Sequence, residues 1–324
     1  MKIVKLLTLG IGALFALAAC GDETSSTTSG TAGSGGSGGA GGGEGGMGGA
    51  GGGMGGAGGM GGGSATVEIQ THTSPDGFAV DSHLVVGPTE VALVDGQFFS
   101  AEAQKVVDLI KATNKPLTTV FLTHAHPDHY LGMEVIRTAY PDAKFVTSAK
   151  VLADYDAKKD ATLAAMKMAF GNQIPDTIVT FEALSGTTIA VDGYTLDVVE
   201  IAAAGESEAA AGLALKSMKA FIAGDLLYNK QHLWMAECNS AGWITNLDTL
   251  AGMGFETFYP GHGPKGDAAM IAEDKKYLED VKPILDAAKN VNEAKMNIKT
   301  AYPDWGGDGL LDFGTQNYFM NCKP

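Results

Sequence analysis

Four residues that can bind a metal stand close together in the segment THAHPDHYLG, which covers residues 123–132. They are His124, His126, Asp128 and His129. In an extended backbone, residues two positions apart point the same way, so His124 and His126 can face one ion. Imidazole and carboxylate groups suit zinc, iron or manganese. Four ligands crowded on one turn cannot surround two ions, so further ligands must come from elsewhere in the chain.

Histidines are scarce outside this segment, and none lies between His129 and His232. His72 and His83 fall on early predicted strands and are interpreted as structural. His232 either lines a pocket with Trp234 or packs within the fold. The remaining histidine is His262, in the segment YPGHG.

The predicted strands and helices alternate, and the candidate ligands are expected on loops just after strands. A β-rich run at residues 117–123 leads into the histidine segment, and a helix is predicted from Asp128 to about Tyr140. Ser100 is expected to cap another helix, which runs to Thr113. Two β-rich segments are predicted to pair as a hairpin that ends at Asp225. A short strand, TFYPGHGP, leads to His262.

The N-terminal segments carry export and tethering signals rather than a fold. Residues 1–20 combine two lysines, an apolar run and the sequence LAAC, which resembles a bacterial lipoprotein signal. This resemblance implies a lipid anchor at Cys20 and a location at the cell envelope; an ordinary signal peptide is the alternative. Residues 21–65 are rich in glycine and are predicted to be a flexible linker. The folded domain is predicted to span residues 66–324.

The chain is acidic, with a formal net charge of −15. Removing two lysines and three acids of the first 65 residues leaves −14 for the predicted domain. Such a surface argues against a nucleic-acid partner and against a nuclease with a basic groove. Cys238 and Cys322 remain beyond the signal. In an exported protein they can form a disulfide that holds the C-terminus, with two free thiols as the alternative.

The motifs THAHPDH, AGES, AGDLLY and YPGHG occur in the order and approximate spacing of the metallo-β-lactamase superfamily, which the chain resembles over about residues 66–290. The resemblance implies an α/β (α+β) fold, a four-layer αβ/βα sandwich with a dinuclear metal site at one edge. It implies zinc as the cation, one or two ions, with iron or manganese as alternatives. It assigns His124 and His126 to a first metal, Asp128, His129 and His262 to a second, and Asp225 to both.

The departure from the family pattern is the third ligand of the first metal. The family normally has a histidine in the loop before the hairpin, where this chain has Gly205, Glu206 and Ser207. Glu206 is therefore predicted as the ligand, because two histidines and a glutamate form a known catalytic zinc set. Glu208 is the alternative if the loop is shifted, and a single firmly bound metal is the alternative if neither residue binds.

The resemblance implies a metal-dependent hydrolase, related to glyoxalase II and lactonases, that cleaves an ester, thioester, lactone or amide through a metal-bound hydroxide. Asp128 is expected to orient the nucleophile and transfer a proton. Tyr228 lies where lactone-hydrolysing members have a tyrosine facing the substrate carbonyl, and packing is its alternative role. The expected partner is a small-molecule substrate. A β-lactamase proper and a non-catalytic, metal-stabilised binding lipoprotein remain as competing functions.

Overall fold

A computed structural model describes residues 66–323 of the chain. The predicted signal peptide, Cys20 and the glycine-rich linker lie outside the described residues, so the division of the chain into three segments stays a prediction. Within the described part, no helix combines the length and apolar character needed to cross a membrane.

The first sheet has six strands in chain order, antiparallel at its first two pairings and parallel at the other three. Its strands are β1 (Glu68–Thr73), β2 (Asp81–Val86), β3 (Val91–Val94), β4 (Leu117–Phe121), β5 (Lys144–Thr147) and β6 (Glu182–Ala183).

The second sheet has five strands: β7 (Thr188–Val191), β8 (Tyr194–Glu200), β9 (Ala211–Leu215), β10 (Ala220–Tyr228) and β11 (Thr257–His262). Their order across the sheet is β11-β10-β9-β8-β7, and only the β10–β11 pairing is parallel. The predicted hairpin is confirmed as β9 and β10.

Among residues 66–323, eight α-helices cover the outer faces of the two sheets. They are α1 (Ser100–Ala112), α2 (Pro127–Tyr130), α3 (Met133–Ala139), α4 (Ala149–Phe170), α5 (Ser240–Ala251), α6 (Ala269–Ala287), α7 (Val291–Ala301) and α8 (Asp308–Asn321). Short 3₁₀ turns occupy Gly171–Gln173 and Lys216–Met218.

Consecutive residues of one strand pack in different cores, which shows how the layers stack. In β2, Leu84 packs in a core shared with α1, α3 and α4, whereas Val85 packs in the core between the sheets. Successive side chains of a strand point to opposite faces, so a strand buried on both sides reads as a continuous apolar run. A third core joins β10 to α5, α6, α7 and α8. The predicted four-layer αβ/βα sandwich is confirmed.

One polar contact ties the sheets together beside the site. His83 on β2 donates from Nε2 to the carbonyl oxygen of Pro260 on β11 (2.8 Å), and its Nδ1 accepts from the hydroxyl of Thr71 (2.9 Å). The structural role predicted for His83 is confirmed. Because β11 ends at His262, this contact also fixes the strand that presents a candidate ligand.

Two helix predictions were wrong in detail. Ser100 is the first helical residue of α1 and not its cap; Phe99 occupies the N-cap position without a side-chain hydrogen bond. The helix predicted from Asp128 to Tyr140 is two short helices. The N–H of Gly132 between them donates to the carbonyl of Gln97 (2.6 Å), which takes this residue out of the helical hydrogen-bond pattern.

Candidate metal centre

Histidines and carboxylates from several distant segments meet at one edge of the sandwich. His124 and His126 follow β4, Asp128 and His129 lie in α2, and Glu206 lies in the loop before β9. Asp225 lies within β10, and His262 is the last residue of β11. The expectation that all ligands lie on loops was therefore wrong for Asp225, His262 and the helical pair, although all of them stay near the ends of elements.

The first group of candidate ligands consists of His124, His126 and Glu206, with Asp225 beside them. His124 Nε2 is 3.7 Å from Glu206 Oε2, and His126 Nδ1 is 2.7 Å from Glu206 Oε1. Ligand atoms about 2.0–2.1 Å from one tetrahedral ion lie about 3.3 Å apart. The observed separations bracket that value, so these side chains fit a single divalent cation.

The second group consists of Asp128, His129 and His262. Asp128 Oδ2 is 3.6 Å from His129 Nε2 and 3.5 Å from His262 Nε2. These distances are also those expected around one ion.

Asp225 reaches both groups. Its Oδ1 lies 3.0 Å from His129 Nε2, and its Oδ2 lies 3.0 Å from His262 Nε2 and 3.7 Å from His124 Nε2. The carboxylate can therefore serve as a ligand in both groups.

Four atoms of this cluster are buried without a hydrogen-bond partner among the described residues: His124 Nε2, His129 Nε2, Glu206 Oε1 and Asp225 Oδ1. Their near neighbours are other ligand atoms whose geometry does not make a hydrogen bond. Buried polar atoms normally find partners, and leaving one unsatisfied costs about 1–3 kcal/mol. Bound cations would satisfy all four atoms, so the residues present fit a metal centre.

Asp95 orients the site from behind. Its Oδ2 accepts from His129 Nδ1 (3.1 Å) and from the Thr123 hydroxyl (2.7 Å), and its Oδ1 accepts from the Thr123 N–H (2.8 Å). Its oxygens are therefore engaged with protein donors, which favours an orienting role over direct coordination. Such partners fix the tautomer and ring orientation of a metal-binding histidine.

The other rings are held in similar ways. His262 Nδ1 donates to the carbonyl oxygen of Phe78 (2.7 Å), which leaves Nε2 facing the cluster. His124 Nδ1 is 3.0 Å from the Thr123 hydroxyl. His126 turns Nδ1 inwards, and its Nε2 lies 3.5 Å from Glu237 Oε1.

Tyr228 lies beneath the bridging carboxylate. Its hydroxyl donates to Asp225 Oδ2 (2.6 Å), its ring stacks on His262 (centroids 4.6 Å apart), and its N–H donates to Asp274 Oδ2 on α6 (2.8 Å). Burial, followed by the charge of Asp225, raises the pKa of the Tyr228 hydroxyl well above its ordinary value. Tyr228 is therefore a protonated donor that positions Asp225.

Two glycines make the bridging position sterically accessible. A Cβ at Gly261 would collide with Asp225 Oδ1, and one at Gly224 would collide with the side chain of Thr123. Gly224 also has a φ of +52°, which side chains disfavour. The motifs AGD and PGH thus need their glycines so that two neighbouring strands can enclose the carboxylate.

Burial and mutual charge perturb the titration of the cluster. Burial raises the pKa of Asp225, but His129, His262 and His124 outweigh it and hold the pKa well below its ordinary value. Burial raises the pKa of Glu206 to about 7, although His126 opposes the shift. Burial disfavours protonation of His129, yet Asp225 and Asp128 raise its pKa. Protons and divalent cations therefore compete for the same atoms.

Solvent reaches the cluster from one side. The side chains of His126 and Asp128 are 15% and 13% exposed, whereas those of His124, His129, Glu206, Asp225 and His262 are at most 3% exposed. Trp234 lies on the open side, with its ring centroid 6.1 Å from that of His126. A substrate must approach past these residues.

The structure separates the two glutamates left open by the sequence. Glu206 is buried within the cluster, whereas Glu208 is exposed. His232 is buried against Tyr277, whose hydroxyl lies 2.9 Å from its Nδ1, so His232 packs within the fold, whereas Trp234 lies beside His126. His72 pairs with Glu102 away from the cluster. Cys238 and Cys322 form a disulfide.

Sequence reasoning missed Asp95 and Glu237. The signal for Asp95 was its place directly after the apolar run VALV, in the segment VDG, where Asp95 takes a φ of +58°. Asparagine and aspartate tolerate that conformation better than most residues. No pattern marked Glu237, because its position beside His126 depends on the loop after β10.

Comparisons with known proteins agree with this geometry. Residues 75–262 match the model of the metallo-beta-lactamase superfamily, which is more than half of the chain. The chain belongs to the metallo-β-lactamase superfamily.

Solved structures with the same fold have distant sequences. A metallo-beta-lactamase family protein from Thermus thermophilus has a TM-score of 0.54 and 20% identity, covering 78% of this chain and 93% of that one. The BLEG-1 B3 metallo-beta-lactamase has a TM-score of 0.53 and 14% identity, covering 65% and 99%. At such identities the likeness concerns the fold alone.

One curated relative matches locally. The uncharacterized protein YobT of Bacillus subtilis (strain 168) is 31% identical over 74 residues, which are 23% of this chain and 31% of that protein. The match spans less than a third of the relative's length.

Proposed function

We propose that this protein is a metal-dependent hydrolase that cleaves an ester, thioester, lactone or amide bond of a small molecule. Zinc is the proposed cation, with iron or manganese as alternatives. The observation that carries the proposal is the convergence of two three-residue ligand groups on Asp225. Membership of a superfamily composed mostly of hydrolases supports it.

The proposed ligands are His124, His126 and Glu206 for the first ion, and Asp128, His129 and His262 for the second. Divalent ions held there would polarise a substrate carbonyl and make water a nucleophile near neutral pH. Asp225 would hold the two sites at a fixed separation, because its two oxygens face different groups.

Asp128 is the proposed proton-transfer group. It is the carboxylate among the ligands that solvent reaches, so it can accept a proton from an attacking water and deliver it to the leaving group. Tyr228 keeps Asp225 in place through its hydroxyl. A direct contact of Tyr228 with the substrate carbonyl stays a prediction; the burial of its side chain favours the positioning role.

Glu206 gives the first site an anionic ligand where the family usually has a neutral imidazole. The additional negative charge makes a bound cation a weaker Lewis acid and raises the pKa of water on it. We therefore expect the activity to be greatest at more alkaline pH than with an all-histidine first site.

A substrate panel with metal removal tests the proposal. The protein, treated with chelator and reloaded with zinc, manganese or iron, is assayed on p-nitrophenyl acetate, a thioester, a lactone and an amide. Reloading should restore cleavage of at least one compound, and His262→Ala should lose it. The matched control is Glu208→Ala, an exposed residue of the same region.

Two results would contradict the hydrolase. Full activity in protein shown to be metal-free would exclude the proposed role of the cluster. Protein that binds two ions and cleaves nothing in the panel would instead be the metal-stabilised binding lipoprotein.

A further inference from the structure

The open side of the metal centre carries a carboxylate that no ligand group uses. Glu237 lies in the loop between β10 and α5, its side chain is 36% exposed, and its Oε1 is 3.5 Å from His126 Nε2. The other ring nitrogen of His126, Nδ1, points away from Glu237 and towards Glu206. Glu237 therefore lies beside the first ligand group, on the side from which a substrate must approach.

With two divalent ions bound, the charges inside the centre would be balanced before Glu237 is included. Two divalent ions would bring four positive charges. Four carboxylates surround their sites: Asp95, Asp128, Glu206 and Asp225. An imidazole in place of Glu206 would leave the loaded centre with a net positive charge, but this chain has removed that excess. Glu237 adds a fifth carboxylate on the open side.

The nearby cation is already paired with another carboxylate. Lys158 on α4 acts electrostatically on Glu237, but its ammonium lies 2.7 Å from Asp154 Oδ1 and is paired there. The apolar component of the same side is the ring of Trp234, next to His126. A ligand at this mouth meets an aromatic ring and a carboxylate that lies against His126 Nε2.

We propose that Glu237 makes the centre select uncharged acyl substrates and reject those that carry a carboxylate near the scissile bond. This inference rests on the proposed hydrolase function. Repulsion by one net negative charge several ångströms away discriminates by about five-fold at intermediate screening. Neutral esters and lactones therefore belong to the substrate class, and carboxylate-bearing lactams and thioesters are poor substrates.

A matched pair of esters measures the selection. p-Nitrophenyl acetate is uncharged, and p-nitrophenyl hemisuccinate differs from it by an added carboxymethyl group, which carries the negative charge. The ratio of their kcat/KM values is measured for the zinc-loaded wild type, Glu237→Gln and Glu237→Lys, with Glu208→Gln as the control. The preference for the neutral ester should fall about five-fold in Glu237→Gln and further in Glu237→Lys. The control should keep the wild-type ratio.

A binding measurement gives the same comparison without turnover. Acetohydroxamic acid and succinic monohydroxamic acid are titrated calorimetrically into each zinc-loaded protein, and the ratio of their Kd values is compared. The carboxylate-bearing hydroxamate should bind about five-fold more tightly, relative to the neutral one, once Glu237 is replaced by Gln. Metal content is measured for each variant.

The outcomes separate the two proposals. Metal-dependent cleavage with the same ratio in all four proteins would overturn the role of Glu237 and leave the hydrolase intact. An equal fall in kcat/KM for both esters in Glu237→Gln would also overturn it, because that result marks Glu237 as a residue that only positions His126. If neither ester is cleaved, equal hydroxamate ratios in all four proteins would overturn the selection. The hydrolase itself fails only if no compound of the substrate panel is cleaved either.

Discussion

His126 Nδ1 lies 2.7 Å from Glu206 Oε1, and that oxygen is buried without a hydrogen-bond partner among the described residues. This pair places a carboxylate at the position where a third histidine was missing from the sequence. A buried carboxylate directed at an imidazole nitrogen that also points inwards indicates a ligand for a shared cation. The alternative candidate, Glu208, is exposed.

Replacing Glu206 by alanine should lower the metal content from about two ions towards one. Two imidazoles and a shared carboxylate hold a divalent ion weakly. Glu206→His should retain two ions and shift the basic limb of the pH–rate profile to lower pH, because a neutral ligand leaves the cation more acidic. The measurement is metal stoichiometry after identical dialysis, with Glu208→Ala as the control. Equal stoichiometry in wild type and Glu206→Ala would exclude Glu206 as a ligand.

Replacing Asp95 by asparagine should weaken metal binding at the second site by about 10- to 100-fold. The carboxylate that accepts from His129 Nδ1 would become a neutral amide, so the ring would lose its orientation and basicity. Asparagine tolerates the φ of +58°, and the backbone should therefore be preserved. Asp192→Asn is the control, since Asp192 also has a positive φ and bonds to Thr89 instead. Competition with a chelator of known affinity measures the effect, and equal affinities in the two variants would contradict it.

His83 should make the protein less stable as the pH falls. Burial lowers the pKa of its ring from 6.5 to about 4. Between these values the unfolded chain binds a proton that the folded protein does not, so the stabilisation present above pH 6.5 is lost towards pH 4. About 2 kcal/mol should disappear between pH 7 and pH 5.

Urea unfolding of wild type and His83→Gln at several pH values measures this effect. In His83→Gln, the free energy of unfolding should fall less between pH 7 and pH 5 than it does in wild type. His72→Gln, on the neighbouring strand, serves as the control. If the free energy of unfolding depends on pH in the same way in wild type and His83→Gln, the lowered pKa is not that of His83.

The Cys238–Cys322 disulfide should contribute about 2–5 kcal/mol to the free energy of unfolding. It joins residues 84 positions apart and holds the end of α8 beside the loop that carries Glu237. The double variant Cys238→Ser, Cys322→Ser should unfold at lower denaturant concentration. Reduced wild type provides the comparison, and it should match the variant. An unchanged midpoint in both would show that the cross-link adds no stability.

We propose that the protein is exported and anchored through a lipid on Cys20. The support is the sequence LAAC followed by a glycine-rich segment. Cys20→Ser should move the protein from the membrane fraction to the soluble exported fraction, as fractionation and immunoblotting would show. A variant that remains in the membrane fraction in the same amount would rule out lipidation as the anchor.

The sequence by itself determined the elements and most of the candidate ligands. Continuous apolar runs specified β2, β4 and β10, and the spacing of His124, His126, Asp128 and His129 put four candidate ligands on one turn. These signals are local, because they depend on side chains only a few positions apart. The sequence also predicted Asp225, His262 and Glu206, but only through resemblance to a family pattern.

Only the tertiary structure decided which distant residues face one another. It brought Glu206 into the cluster and left Glu208 in solvent, although the two residues are only two positions apart. It placed Asp95 behind His129 and Glu237 beside His126, although these partners lie 34 and 111 positions apart in the chain. It also turned the predicted loop ligands Asp225 and His262 into strand residues. Such relationships arise when sheets pack together and bury polar atoms that then need partners, and no local pattern encodes them.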